Sequence, residues 1–384
     1  MHRLFRSLFR LSSVFFLGSL ISTNRIDYRI LPSAGWVEIS KPFIVEAAYP
    51  NWIASTYPPE NIPLNYLQQI GHVFVWPGDG GELVIPGDFL VPQLIELAHS
   101  AEKEILVGVG GGNRYAEMAA MVSDPAKREI FVNDLTDFVM QYDYDGVEID
   151  WEYPQTSLDR ENLNSFMAEL RNSLDESGQN LQLNLIVSGN EWFGQWIDVN
   201  SITPFVDYYL VITFGFYHMD SRLSGHNSPL YPPSSEVSDA GSVDGTIHYW
   251  TESRGIAKSK IFIGLASFGN SFDSEDLYQP FTTFRQAYYR DIKPLIGNGY
   301  TRHWDDISKV PYLTQDDGLI VWSYDDPTSF GIKCDYVKAN GLAGVAVWEM
   351  SGDLLNGEHE LLETVAFKLM LSHAMYLPFI HGRR

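Results

Sequence analysis

The chain has 384 residues, 45% of them apolar and 20% charged, with a formal net charge of −23. That length accommodates one large α/β barrel or two ordinary domains, and the apolar share excludes a disordered polymer. The negative field opposes nucleic-acid or anionic-membrane partners and leaves a neutral ligand unaffected. An aromatic share of 14% suits a sugar binder and a large core equally well.

The first residues carry Arg3, Arg6 and Arg10, then a mostly apolar run from Leu11 to Ile21. This is the pattern of a secretory signal peptide over residues 1–23, with cleavage near Ser22 or Thr23. The run is shorter than the roughly 20 apolar residues a membrane span requires. The mature product is expected to be secreted, without membrane association after cleavage, and monomeric. Cys334 is the single cysteine, so no intramolecular disulfide can form.

From residue 42 the chain alternates short β-rich apolar runs with helical periods. Eight strands are predicted at Pro42–Pro50, His72–Gly78, Glu104–Gly111, Asp145–Glu152, Leu181–Ser188, Asp207–Phe216, Lys260–Gly269 and Gly341–Met350. Helices are predicted over Asp124–Tyr142, Asp159–Ser177 and Pro327–Ala339, the first opened by a capping residue and Pro125. Eight such units form a (β/α)8 TIM barrel over residues 42–374. Residues 270–321 are too many for a simple βα loop and are read as a small lobe on the seventh, with a helical stretch at Phe284–Leu295. Residues 375–384 form a loose C-terminal tail.

Glu148, Asp150 and Glu152 alternate along one strand, so their side chains share one side, the interior of a barrel. Neighbouring carboxyls cannot all ionise cheaply, and at least one should stay protonated near neutral pH, as a general acid requires. An exposed acidic strand edge is the competing reading. The flanking Val147, Ile149 and Trp151 argue that both faces are enclosed.

The run Tyr144-Asp-Gly-Val-Glu-Ile-Asp-Trp-Glu-Tyr-Pro154 resembles the D-G-x-D-x-D-W-E-Y-P signature of glycoside hydrolase family 18, the chitinases and their relatives. Further resemblances follow in order: Tyr49-Pro-Asn-Trp52, Gly110-Gly111, Gly225-His-Asn-Ser-Pro-Leu-Tyr-Pro232, Lys258–Gly269, Trp304-Asp-Asp306 with Pro311-Tyr312, Tyr324-Asp-Asp326 and Gly344-Val-Ala-Val-Trp-Glu349. The resemblance implies a retaining, substrate-assisted hydrolase of β-1,4-linked N-acetylglucosamine polymers. It makes Glu152 the acid and base, Asp150 the partner of the acetamido group and Glu148 the inner acid. It implies sugar contacts from Trp348, Tyr49, Trp52, Phe214, Tyr217, Tyr300 and Arg302. No cofactor is implied. His72, His218, His226, His248 and His303 lack metal-ligand spacing, and no metal is expected.

Several pocket positions depart from the family pattern. The inner acid is Glu148 in place of aspartate, Ala48 replaces a tyrosine, and Gly108 replaces a serine. A longer Glu148 is therefore expected to fill the space vacated at Ala48 and Gly108. The family's M-x-Y-D reads Ile212-Thr-Phe214-Gly215, removing two sugar-contacting groups for which Tyr217 or His218 could substitute. Gly112 stands where the family often has tryptophan. These departures keep three readings open: a chitinase, a hydrolase of N-glycan cores or other acetamido sugars, and a non-catalytic carbohydrate-binding protein. A barrel hydrolase pairing Glu152 with Glu349 is the reading from outside the family.

Overall fold

The structure, a computed structural model, describes residues 42–233 and 241–371. The expected signal peptide (1–23) and C-terminal tail (375–384) lie outside the described residues.

Among the described residues, eight parallel strands close a barrel: β1 (Ile44–Pro50), β2 (Gln69–Pro77), β3 (Glu104–Gly110), β4 (Gly146–Asp150), β5 (Gln182–Val187), β6 (Tyr208–Val211), β7 (Ile261–Ala266) and β8 (Gly344–Trp348). Closure is direct, since β1 pairs in parallel with both β2 and β8. A barrel strand is covered on both faces, which explains why β7 reads Ile-Phe-Ile-Gly-Leu-Ala with every residue buried.

The surrounding helices start where their sequences supply a cap. Asp124 accepts a hydrogen bond from Ala126 N at 2.9 Å and Pro125 follows, opening Pro125–Tyr142. Thr156 and Asp159 form a capping box before Ser157–Glu176. Leu163, Phe166, Met167, Leu170 and Leu174 of that helix are buried, and the Phe166 ring lies 6.1 Å from Phe131 of its neighbour. Each such side chain contributes about 1.5–3 kcal/mol by leaving water. The helix Pro327–Asn340 starts on Asp326 and ends at Gly341, whose φ of 64° suits glycine.

The chain after β7 builds a five-stranded antiparallel sheet from Phe268–Phe272, Phe284–Tyr288, Tyr300–Asp305, Val310–Gln315 and Val321–Ser323. The predicted helix at Phe284–Leu295 is therefore corrected. Phe284–Tyr288 is a strand paired with Phe268–Phe272, and only Tyr289–Leu295 is helical. The Phe284 ring meets Phe272 at 5.7 Å, so cross-strand packing overrides the helical pattern.

Strand six is also shorter than predicted, ending at Val211 instead of Phe216. Beyond it, Thr213 Oγ1 bonds to Gly264 O at 2.6 Å, and Gly215, at φ 72°, donates its N–H to Asn227 Oδ1. The left-handed glycine turns the chain out of the strand.

Candidate active site

The barrel opens at the C-terminal ends of its strands into a cavity of about 760 Å³. Glu46, Glu148, Asp150 and Glu152 line it, with neither lysine nor arginine among the lining residues. Alternation along β4 turns Glu148 and Asp150 inward, and Glu152 follows two residues beyond the strand end. The lobe supplies part of the wall through Phe268, Asn270, Phe284 and Gln286.

Among the described lining residues, the acids form a column without a lysine or arginine countercharge. Burial, then the charges of Glu152 and Glu148, push Asp150 well above the usual carboxylate range. Its Oδ1 is buried and has no hydrogen-bond partner among the described residues. Glu152 is raised by burial, against a hydrogen bond with the Tyr153 hydroxyl. Its carboxylate lies 3.4 Å from where a Cβ on Gly112 would stand, so the missing side chain leaves that flank of Glu152 open.

At the floor, Asn184 Nδ2 donates to Glu148 Oε1 at 2.9 Å, and Glu148 is hydrogen-bonded to Glu46. Burial raises Glu148, and both hydrogen bonds oppose that rise. Glu46 is raised well above its ordinary range by burial, then by the Glu148 charge and hydrogen bond. The sequence reading missed Glu46 because it sits within the apolar run Phe43–Tyr49. The available signal was its register, two residues before the inward Ala48.

The expected filling of space at Gly108 is not what occurs. A Cβ there would meet Val73 Cγ1 at 2.4 Å, so Val73 and Phe74 already occupy that space. Glu148 extends toward Gly71 instead, where a Cβ would lie 2.8 Å from its Oε2 and 3.4 Å from Glu46 Oε1.

Trp348 lines the cavity and stacks on Phe74, their rings 5.9 Å apart. Ser267 holds the end of β8, its N–H on Trp348 O at 2.9 Å and its Oγ on Glu349 O at 2.6 Å. Trp52, half exposed, stands 6.5 Å from the Trp348 ring at the rim. Phe214 lines the wall against Phe268.

Four predicted contacts stand apart from the cavity. Tyr49 points to the outer side of β1, its hydroxyl donating to Tyr57 O at 2.8 Å. Tyr217 is buried in the lobe with Phe272, Leu277 and Val321, while His218 is the neighbour that reaches the cavity. Tyr300 and Arg302 occupy a lobe strand on the far side of the sheet, and Arg302 Nε donates to Asp326 at 3.1 Å. Glu349, buried, accepts from Ser351 N at 3.0 Å and Ser351 Oγ at 2.7 Å and does not line the cavity. This removes the pairing of Glu152 with Glu349.

The lobe residues Asn270 and Gln286 were not predicted. They face each other across antiparallel strands, with Gln286 Nε2 donating to Asn270 Oδ1 at 3.2 Å. Reading the segment of Gln286 as a helix concealed the pairing.

The family model described as Glycosyl hydrolases family 18 matches residues 50–353. A probable endochitinase of Caenorhabditis elegans is 31% identical over 258 residues, 62% of this chain and 41% of its own length. Chitinase A1 of Niallia circulans is 30% identical over 313 residues, 72% of this chain and 44% of its own. The chain thus spans less than half the length of these relatives. Among solved structures, an immunomodulatory active chitinase from Trichuris suis superposes with a TM-score of 0.79 at 25% identity, covering 85% of this chain and 99% of that one.

Proposed function

The chain belongs to glycoside hydrolase family 18, and from that premise we propose that it cleaves β-1,4-linked N-acetylglucosamine chains by a retaining, substrate-assisted reaction. The observation that carries this reading is the buried, unpartnered Asp150 Oδ1 in the same cavity as a half-buried Glu152. An unpaired buried acceptor costs about 1–3 kcal/mol until a donor arrives, and an acetamido N–H is such a donor.

In this mechanism Glu152, whose pKa burial raises, protonates the leaving glycosidic oxygen. The substrate's acetamido carbonyl oxygen attacks the anomeric carbon and closes an oxazolinium ring. Asp150 takes the N–H and balances the developing positive charge. Glu152, now ionised, removes a proton from the water that opens the ring, which restores the acid. Trp348 forms the surface on which the sugar rests. The polymer is neutral, so the protein's negative field does not oppose its approach.

A second reading is a carbohydrate-binding protein with this cavity. Phe214 and Gly215 stand where the family signature has a tyrosine hydroxyl and a carboxylate, and Phe216 and Phe268 add apolar surface to the same wall. Incubation of the protein and its Glu152→Gln variant with N-acetylglucosamine oligomers separates the two. Cleavage by the parent, reduced about 10²–10⁴-fold in the variant, supports the enzyme. Binding by both without cleavage supports the second reading. The proposal extends to export and a monomeric state; a mature N-terminus near Ser22 or Thr23, and light scattering at one chain's mass, are the expected measurements.

A further inference from the structure

Glu46 is unaccounted for by the reaction above. It is 3% exposed, lines the floor of the cavity, and its Oε2 has no hydrogen-bond partner among the described residues. The strands packed against β1 offer it no charge: Gln69 and Gly71 lie beside it on β2, and Ala346 on β8. Across the barrel it meets Glu148, whose other oxygen is held by Asn184. Above these stand Asp150 and Glu152, with His218 as the cavity's nearest approach to a cation. Gly71 provides the space in which the two carboxyls meet, since a Cβ there would press on both.

Two carboxyl groups in hydrogen-bond contact must hold at least one proton between them. Asn184 donates to Glu148, which marks Glu148 as the acceptor of the pair. The proton then belongs to Glu46, whose Oε2 has no hydrogen-bond partner among the described residues to favour its anion.

We propose that Glu46 is a positioning residue: a neutral carboxyl that donates its O–H to Glu148, keeping Glu148 ionised beneath Asp150. It acts through Glu148 and does not touch substrate. The ionised Glu148 favours a protonated Asp150 in the resting site and accepts that proton when substrate binds, so Asp150 is an anion when the positive charge develops. This inference rests on the hydrolase reading for its kinetic consequence, and on geometry alone for the protonation state.

Two uncharged replacements isolate the donor. Glu46→Leu removes the O–H, and Glu148 then takes up a proton more readily. The acid limb of the kcat/KM profile should move up by about one pH unit, the equivalent of one lost hydrogen bond to a charged group. We expect kcat to fall about tenfold while KM changes less than twofold. Glu46→Gln, with an amide N–H in place of the O–H, should recover most of both losses. A Glu46→Leu variant with the parent's limb and kcat would reduce Glu46 to packing. A Glu46→Gln variant as impaired as Glu46→Leu would show that Glu46 acts as a charge.

The second measurement needs neither activity nor the leucine variant. Infrared difference spectra of protein labelled with 13C-carboxyl glutamate should show a protonated glutamate at pH 7 that persists in Glu152→Gln and vanishes in Glu46→Gln. Its absence from Glu152→Gln protein would overturn the proposal. Its presence in a protein that cleaves no oligomer would leave the proposal standing and remove the hydrolase reading instead.

Discussion

Gly71→Ala adds a single methyl group where the two floor acids meet. The new Cβ would stand 2.8 Å from Glu148 Oε2, against an ordinary contact of 3.4 Å or more. The carboxylate must retreat by about 0.6 Å. Glu148 is not free to do so cheaply, because Asn184 holds one oxygen at 2.9 Å and Glu46 shares a hydrogen bond with the side chain. Overpacking of this kind costs about 1–3 kcal/mol, or roughly 2–6 °C in Tm for a large barrel. The assay is calorimetric melting beside hydrolysis of a fluorogenic chito-oligosaccharide. Glu148→Asp shortens the inner acid by one methylene and should relieve the clash, giving a coupling of about 1 kcal/mol or more in the double-mutant cycle. A Gly71→Ala protein with the parent's Tm and turnover, or a cycle without coupling, would refute the reasoning.

Asp150→Asn should lower kcat about 10²–10³-fold by weakening the acetamido partner. The same change should raise Tm at alkaline pH. Asp150 is raised on folding by burial and by two neighbouring acids, so its protonated form supports folding below the unfolded value, and that support is lost as pH rises through the folded value. The Tm gain should therefore be large near pH 8 and disappear below about pH 4; a gain independent of pH would contradict it. Lys333→Met leaves the fully buried Asp325 without its ion pair, formed at 2.7 and 2.8 Å, and should destabilise the fold by about 3–5 kcal/mol in denaturant titration. Trp348→Ala should raise KM for oligomers at least tenfold, measured from initial rates, with a smaller effect on Tm.

The strands were legible because a barrel imposes one rule on every one of them, short apolar runs enclosed on both faces. Glu148 and Asp150 were legible for the same reason, since period-two alternation on β4 decides where they point, and Glu152 continues that spacing just past the strand end. The rule fails where the chain leaves regular structure. Gly215 turns the backbone after Val211, so alternation could not separate Tyr217 from His218. Pairing between distant segments is also unreadable locally, which hid Asn270 and Gln286 and misplaced Tyr300 and Arg302. Glu46 was legible in register but not in meaning. An acid in an apolar strand gains a role only from the acid it faces, and Glu148 lies about a hundred residues away.

In the proposed mechanism the substrate's own acetamido group attacks while Glu152 serves as acid and then base. Proton NMR of the reducing end formed in the first minutes of chito-oligosaccharide hydrolysis tests it most directly. The β-anomer is expected first, relaxing to the equilibrium mixture, with no product on the same time scale from Glu152→Gln. An initial α-anomer, or equal cleavage of the corresponding glucose oligomer that lacks the acetamido group, would contradict it.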